Sequence, residues 1–371
     1  MTPTGTTWAA IAGLVAMLSA CCAQAPQRPA TATRPFRMGF TPWPSEPSAR
    51  GLRTAQTFIE EHGDMVSLML IGGIPWQEAL EGRPFSADVR RQLAYRPPTG
   101  HRLFLSISPL NMGRNGLAPN WGERDNMPLP EAWAKRRFND PAVVKALTAF
   151  TLRAVAALKP DWLAIGVESN ALLSHDRPAW QDYKEMHRAV YAAVKRRHPK
   201  LIVFFTTEVN HYLERASEAR GSGQARELAD LMRHSDVFAM SYYPHMSYDT
   251  RWPIPNDFFG FARQFRKPIA ISETGMLSKE VTVTGIKLRG SPEDQRQYYE
   301  VLLSSAQRDR YLFVVTFCTT DYDLLLPALP PEAREIANIW TYTGLQSSSR
   351  APKPALEVWD RWRSMPLARG R

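Results

Sequence analysis

Two glutamates attract attention because of the residues that precede them. Glu168 follows the apolar run Trp162–Val167, and Glu273 follows Ile269–Ser272; both runs are rich in β-forming side chains. A carboxylate at the end of a buried strand is either an ion-pair partner or a proton-transfer group. Two at one mouth can divide the roles of acid and nucleophile. Other strand-like runs end in Trp43, Asn111, Glu208 with His211, Tyr242-Tyr243 with His245, and Asp321. This set is aromatic and acidic, and poor in Lys and Arg. Aromatic faces stack on the apolar faces of sugar rings, and carboxylates act at an anomeric carbon. The strand ends thus offer Glu168, Glu273, Glu208 and Asp321 as carboxylates, with Trp43, Asn170, Tyr243 and His245 around a sugar; Trp43 and Trp76 suit either sugar platforms or packing at the rim. Neighbours on a strand face opposite ways, so only one of Tyr242 and Tyr243 reaches the mouth; Tyr243 is assigned there. Glu208 fits a subsite or a salt bridge equally well, His245 suits a loop hydrogen bond, and Cys318 reads as a small core residue.

Positioning such a rim requires a scaffold, and the chain supplies a repeating one. Eight apolar runs recur: Phe36–Phe40, Met65–Leu70, Leu103–Ile107, Trp162–Val167, Ile202–Thr206, Val237–Ser241, Ile269–Ser272 and Phe313–Phe317. They are continuous rather than alternating, as parallel strands buried on both faces require. Helical patterns separate them. Asp140-Pro141 and Ser291-Pro292 each place a capping side chain before a proline at the first helical position. The expectation is a single (β/α)₈ TIM barrel over residues 36–363, with a short tail at 364–371. An open doubly wound sheet would want a glycine-rich turn after the first strand, and Gly39-Phe40-Thr41-Pro42 is no such turn.

With the strands numbered in this way, Ile165-Gly166-Val167-Glu168-Ser169-Asn170 on the fourth and Ile271-Ser272-Glu273-Thr274-Gly275 on the seventh resemble the two catalytic strands of the clan A retaining glycoside hydrolases. Asp236–Pro244 resembles the sixth strand of the endo-β-1,4-galactanase family, where a Tyr lies close to the nucleophile. Gly344-Leu345, then Pro352–Leu356 and Trp359, are similar to the ending of these barrels. The resemblance implies a retaining hydrolase of a β-linked poly- or oligosaccharide, with Glu168 as acid/base and Glu273 as nucleophile. Two positions depart from the pattern. The clan has Asn immediately before the acid/base, and this chain has Val167. The clan carries a Trp at the end of the eighth strand, and this chain reads Phe317-Cys318-Thr319-Thr320. These departures define an alternative: a glycan-binding or scaffold lipoprotein on the same barrel, without turnover.

The remaining features concern location and partners. Trp8–Leu18 is an apolar run of signal-peptide length, too short to span a bilayer, and it leads into Leu18-Ser19-Ala20-Cys21, which resembles a bacterial lipobox. The expected layout is a signal peptide over 1–20, lipidation at Cys21 and a Pro/Ala/Thr-rich tether over 21–35, giving an exported, membrane-anchored lipoprotein. The 371 residues carry a formal net charge of +10, but Arg and Lys are spread along helical stretches, so solvated helix faces are expected rather than a nucleic-acid surface. Cys318 alone remains in the body of the chain, and no His or Cys pattern has metal-ligand spacing. No metal and no cofactor are expected, and the barrel is expected to act as a monomer.

Overall fold

The computed structural model describes residues 32–247 and 252–368. The apolar run, Cys21 and nearly all of the tether lie outside the described residues. Nine parallel segments form one sheet: β1 (Arg37–Phe40), β2 (Met65–Leu70), β3 (Arg102–Ile107), β4 (Trp162–Ile165), β5 (Ile202–Phe204), β6 (Thr206–Glu208), β7 (Phe238–Tyr242), β8 (Ile269–Thr274) and β11 (Phe313–Thr316). A two-stranded hairpin, β9 (Val281–Val283) with β10 (Ile286–Leu288), interrupts the sequence before β11. β1 pairs with both β2 and β11, and the two outer members of the sheet, β5 and β6, are separated only by Phe205. The result is a nearly closed TIM barrel.

The strand count is nine where eight were expected. The single run Ile202–Thr206 is split because its first half keeps register with β4 while its second half steps across to β7. Phe205, at the step, is buried in the outer core. Eight barrel positions are therefore filled by nine segments, and β8 is the seventh barrel strand.

The barrel interior changes character along its axis. At the strand starts it is plugged by Phe104, Trp162, Phe204 and Phe313, with Phe313 centroids 5.1 Å from both Phe104 and Trp162. Truncating one of these rings to Ala would remove about 3–5 kcal/mol. Towards the strand ends the inward positions become Ser67, Ser106 and Ser241, which set a polar floor beneath the mouth. The second core lies between strands and helices. Its helices begin where the sequence places them: Asp140 accepts from the Ala142 amide at 2.8 Å, and Ser291 from the Asp294 amide at 3.0 Å.

The folded unit starts earlier than residue 36. Arg34 is fully buried, donates to Asp64 at 2.5 Å and to the Phe36 carbonyl at 2.6 Å, and forms a backbone bridge with Leu367. The end of the expected tether and part of the expected tail therefore clasp each other at the strand-start end of the barrel.

Candidate active site

The Glu168 corner is made by backbone that leaves the strand. β4 stops at Ile165, two residues short of the expected end, because Gly166 takes φ +138° and Glu168 itself takes φ +51°. A side chain at 166 would run into the Tyr183 hydroxyl and Ser169 Oγ, so glycine is required there. A non-glycine residue in the left-handed region costs roughly 1–2 kcal/mol. Here β6 holds it in place. The Glu168 amide donates to Thr206 Oγ1 at 2.8 Å, the Ser169 amide to the Thr206 carbonyl at 3.1 Å, and the Thr206 amide to the Gly166 carbonyl at 3.0 Å. Both carboxylate oxygens of Glu168 are then addressed. Ser241 Oγ donates to Oε1 at 2.7 Å and Arg114 Nη2 to Oε2 at 2.8 Å. Arg114 comes from the loop after β3, also at positive φ (+54°), and its other guanidinium arm is pinned by the Asn111 and Met112 carbonyls, both at 3.1 Å. The Glu168 side chain stays 19% exposed, open to the mouth.

The Glu273 corner uses an inserted residue. β7 and β8 run in register through Met240↔Ile271, then jump to Ser241↔Glu273, so Ser272 is an extra residue opposite nothing. Strict alternation from Ala270, an interior residue, would send Glu273 outward into the helices. The bulge reverses that parity and aims Glu273 into the mouth, while Thr274 bonds the Tyr242 carbonyl behind it. Ser241, which holds Glu168, is thus the lateral neighbour of Glu273. Tyr243 donates its hydroxyl to Glu273 Oε1 at 2.5 Å. Burial, and after it the negative charge of Glu168, push the Glu273 carboxyl up to about 7, against the pull of the Tyr243 hydroxyl and of Arg114. Burial and the Glu273 charge hold the Tyr243 phenol well above its ordinary range, so it remains a donor.

Two glutamates from the fourth and seventh barrel strands therefore meet at one mouth through Ser241. Residues 119–307, just over half of the chain, match the model of glycosyl hydrolase family 53. The chain belongs to that family. It is a glycoside hydrolase of clan A build. Solved structures share the fold. The family 53 catalytic domain of Ignisphaera aggregans is 17% identical with TM-score 0.53, covering 82% of this chain and 87% of that one. A GH5_18 protein from Streptomyces cattleya in complex with GlcNAc is 18% identical with TM-score 0.59, covering 92% and 83%. Another from Bifidobacterium longum subsp. longum in complex with Manβ1-4GlcNAc is 14% identical with TM-score 0.60, covering 91% and 80%. No curated protein matches the chain.

Within this family 53 site the other expected residues divide. Tyr243 reaches the mouth and Tyr242 packs on Phe258 (centroids 4.8 Å), as strand alternation requires. Trp43 lines the mouth against Phe317, centroids 5.3 Å apart, and its indole N–H has no partner among the described residues. Asn170 is not available to a substrate. It is fully buried, and its amide bonds the Glu208 backbone twice, at 3.0 and 2.7 Å, and Gln224 at 3.1 Å. Glu208 acts as a cap and ion-pair partner, accepting from the His211 amide at 2.6 Å and from its ring at 2.7 Å. His245 packs edge-on behind Tyr243 and bonds the Ile339 carbonyl at 3.1 Å; burial lowers its pKa to about 3, so it supports the wall as a neutral ring. Trp76 is fully buried, stacked on Trp133 at 5.2 Å, and is a packing residue. Asp321 is held by Lys353 at 2.6 Å inside the last loop, and burial keeps the Cys318 thiol neutral.

Three contributors were not anticipated: Arg114, Ser241 and Trp340. Trp340 adds a ring beside Tyr243 and Phe317, in a chain that has no Trp at the end of the eighth strand. It arrives on a 3₁₀ turn, Asn338–Trp340, well downstream of β11, and stands 5.9 Å from Tyr243 and 6.3 Å from Phe317. Trp43, Phe317, Trp340 and Tyr243 form one aromatic wall ending at Glu273. A Trp late in the final loop was the available signal; its distance from the strand obscured it.

Proposed function

We propose that this family 53 member hydrolyses a β-linked poly- or oligosaccharide with retention, using Glu273 as nucleophile and Glu168 as acid/base. The placing of both carboxylates at one mouth, Glu168 held by Ser241 and Glu273 by Tyr243, carries the reading. In the first step a Glu273 oxygen bonds to the anomeric carbon as the glycosidic C–O bond breaks, and the Glu168 proton passes to the leaving oxygen. In the second, water attacks that carbon, gives its proton to Glu168 and releases Glu273. Only a singly protonated pair can begin the cycle, and burial with mutual repulsion is what retains one proton near neutrality. The raised carboxyl is that of Glu273, so the proton the pair retains must pass to Glu168 as sugar binds; Arg114 can only donate, which leaves Oε1 to carry it. The aromatic wall supplies stacking surface for the sugar beside the nucleophile.

The test is reducing-end release from β-1,4-galactan, β-1,4-mannan and related β-linked polymers by wild type, Glu168→Gln and Glu273→Gln. Activity lost in both variants supports the assignment. Activity surviving both would remove these carboxylates from the mechanism. A second reading has its own support: Val167 is buried and Asn170 is spent on Glu208, so no described amide from this turn reaches a sugar hydroxyl. Binding to one glycan with no release from any would favour that reading, a binding protein on a hydrolase barrel. Export and anchoring through Cys21 rest on the apolar run and the lipobox-like Leu18–Cys21, and mass measurement of Cys21 from a membrane fraction tests them.

A further inference from the structure

The cations of this chain are scattered in sequence and gathered in space. A parallel barrel puts every strand start and helix C-terminus at the end opposite the mouth. Arg37 opens β1, Lys159 closes the helix Pro141–Leu158, Arg197 ends the helix Arg177–Arg197 and Lys200 precedes β5. Arg266 follows the 3₁₀ segment Phe258–Phe265, and Arg310 lies between the helix Pro292–Arg308 and β11. All but the half-buried Arg37 are exposed, and none of the six side chains has an acidic partner among the described residues. Most acids of this end are already committed: Asp64 to Arg34, Asp161 to Arg102, Asp236 to Lys195 and Asp309 to Arg263. Two exposed glutamates, Glu60 and Glu61, share the end and leave it positive. Helix dipoles account for basic residues in last turns. They do not account for Arg37 at a strand start, or for Lys200 and Arg310 in the loops.

Two further observations point to what this face meets. A concavity of about 430 Å³ opens on it, lined by Arg37, His101, Arg102 and Lys159 with Asp161, a size and charge suited to an anionic headgroup. The chain also enters here. The Thr33 carbonyl accepts from Gln307 at 3.0 Å, and Arg34 is clamped by Asp64. Between Thr33 and Cys21 lie about a dozen residues, which reach at most roughly 40 Å when extended.

We propose that the strand-start face of the barrel rests on an anionic lipid surface, so that the mouth opens away from the membrane toward the glycan. The proposal rests on the reading of Cys21 as a membrane tether, and its test is separable from that reading. Flotation would compare the full chain carrying Cys21→Ala and Cys22→Ala on phosphatidylcholine vesicles and on the same vesicles doped with phosphatidylglycerol. The doped vesicles should bind it more tightly, and added salt should erase the difference. Adding Arg37→Gln, Lys159→Gln, Lys200→Gln and Arg266→Gln should lower that preference about 600-fold, from the roughly fivefold that one basic side chain near an anionic surface is worth. Its melting temperature should stay unchanged, since these side chains make no ion pair. Equal binding to both vesicles, or a preference that survives the four neutralisations, would overturn the proposal. So would binding to a soluble polyanion as tight as to the doped vesicles. An unmodified Cys21 in wild-type protein from membranes would sink the tether while leaving the lipid preference to be read on its own.

Discussion

Glu168 reaches the mouth through strained backbone and polar contacts, whereas Glu273 reaches it through an inserted residue and an aromatic wall. On the first side, Gly166 and Glu168 leave regular strand geometry, and Thr206, Ser241 and Arg114 hold the result with hydrogen bonds. On the second, the strand continues to Thr274, a one-residue bulge turns the side chain, and Tyr243, backed by Trp340, bonds it. The first arrangement leaves a half-buried carboxyl surrounded by donors, as a group exchanging protons with sugar and water requires. The second sets a likewise half-buried carboxyl beside an aromatic wall, as a group that forms and breaks a bond to carbon requires.

The contrast can be broken at several points. Replacing either glutamate by Gln should cost on the order of a thousandfold or more in kcat. Gly166→Ala should be the most damaging change that removes no functional group: a methyl between Tyr183 and Ser169 at φ +138° should cost about 3 kcal/mol of stability, seen in denaturant unfolding. Alanine at 166 without loss of stability would show that the strained corner is not held as described. Tyr243→Phe should lower kcat/KM by about 10- to 100-fold, because Glu273 loses the Tyr243 hydroxyl, and the aromatic wall should keep KM nearly unchanged.

The sides should also differ in their response to pH. The folded-state pKa of Glu273 is raised, so the stability it contributes is complete below the ordinary carboxylate range and is lost as pH rises through about 7. Wild type should therefore lose about 1–2 kcal/mol of stability between mildly acidic and mildly alkaline pH relative to Glu273→Gln. Hydrolysis should fall over the same upper range as the pair loses its last proton. A flat difference between the two proteins across that range would mean the carboxyl is not held in this way. The smallest effect expected is at the wall: Trp340→Ala should raise KM by about threefold to tenfold with kcat little changed, from a stacking contribution of about 1 kcal/mol.

Much of the Glu273 side and less of the Glu168 side was legible in the sequence. Apolar runs give strand ends, and strand ends gave both glutamates, Tyr243 and Trp43. The bulge at Ser272 was not legible, because Ile271-Ser272-Glu273 carries no local mark of an extra residue. Arg114 sits in Asn111-Met112-Gly113-Arg114-Asn115-Gly116, which reads as a turn; only the fold brings that turn across to the next strand end. Asn170 misled because a polar residue just past a strand looks available, while Gln224 and Glu208, distant in sequence, consume its amide. The basic end was hidden for a related reason: its residues lie one or two to a junction along the chain and meet only when the barrel closes.

The most direct test of the account is to find where a sugar becomes attached. Glu168→Gln should be incubated with an activated aryl β-glycoside of the sugar identified by the polymer panel, then digested and mapped by mass spectrometry. A glycosyl group on the peptide containing Ile271–Gly275, at Glu273, is the predicted result. Attachment at another residue, or prompt release of inverted sugar with no adduct, would contradict the assignment of Glu273 as nucleophile and with it the division of labour between the two corners.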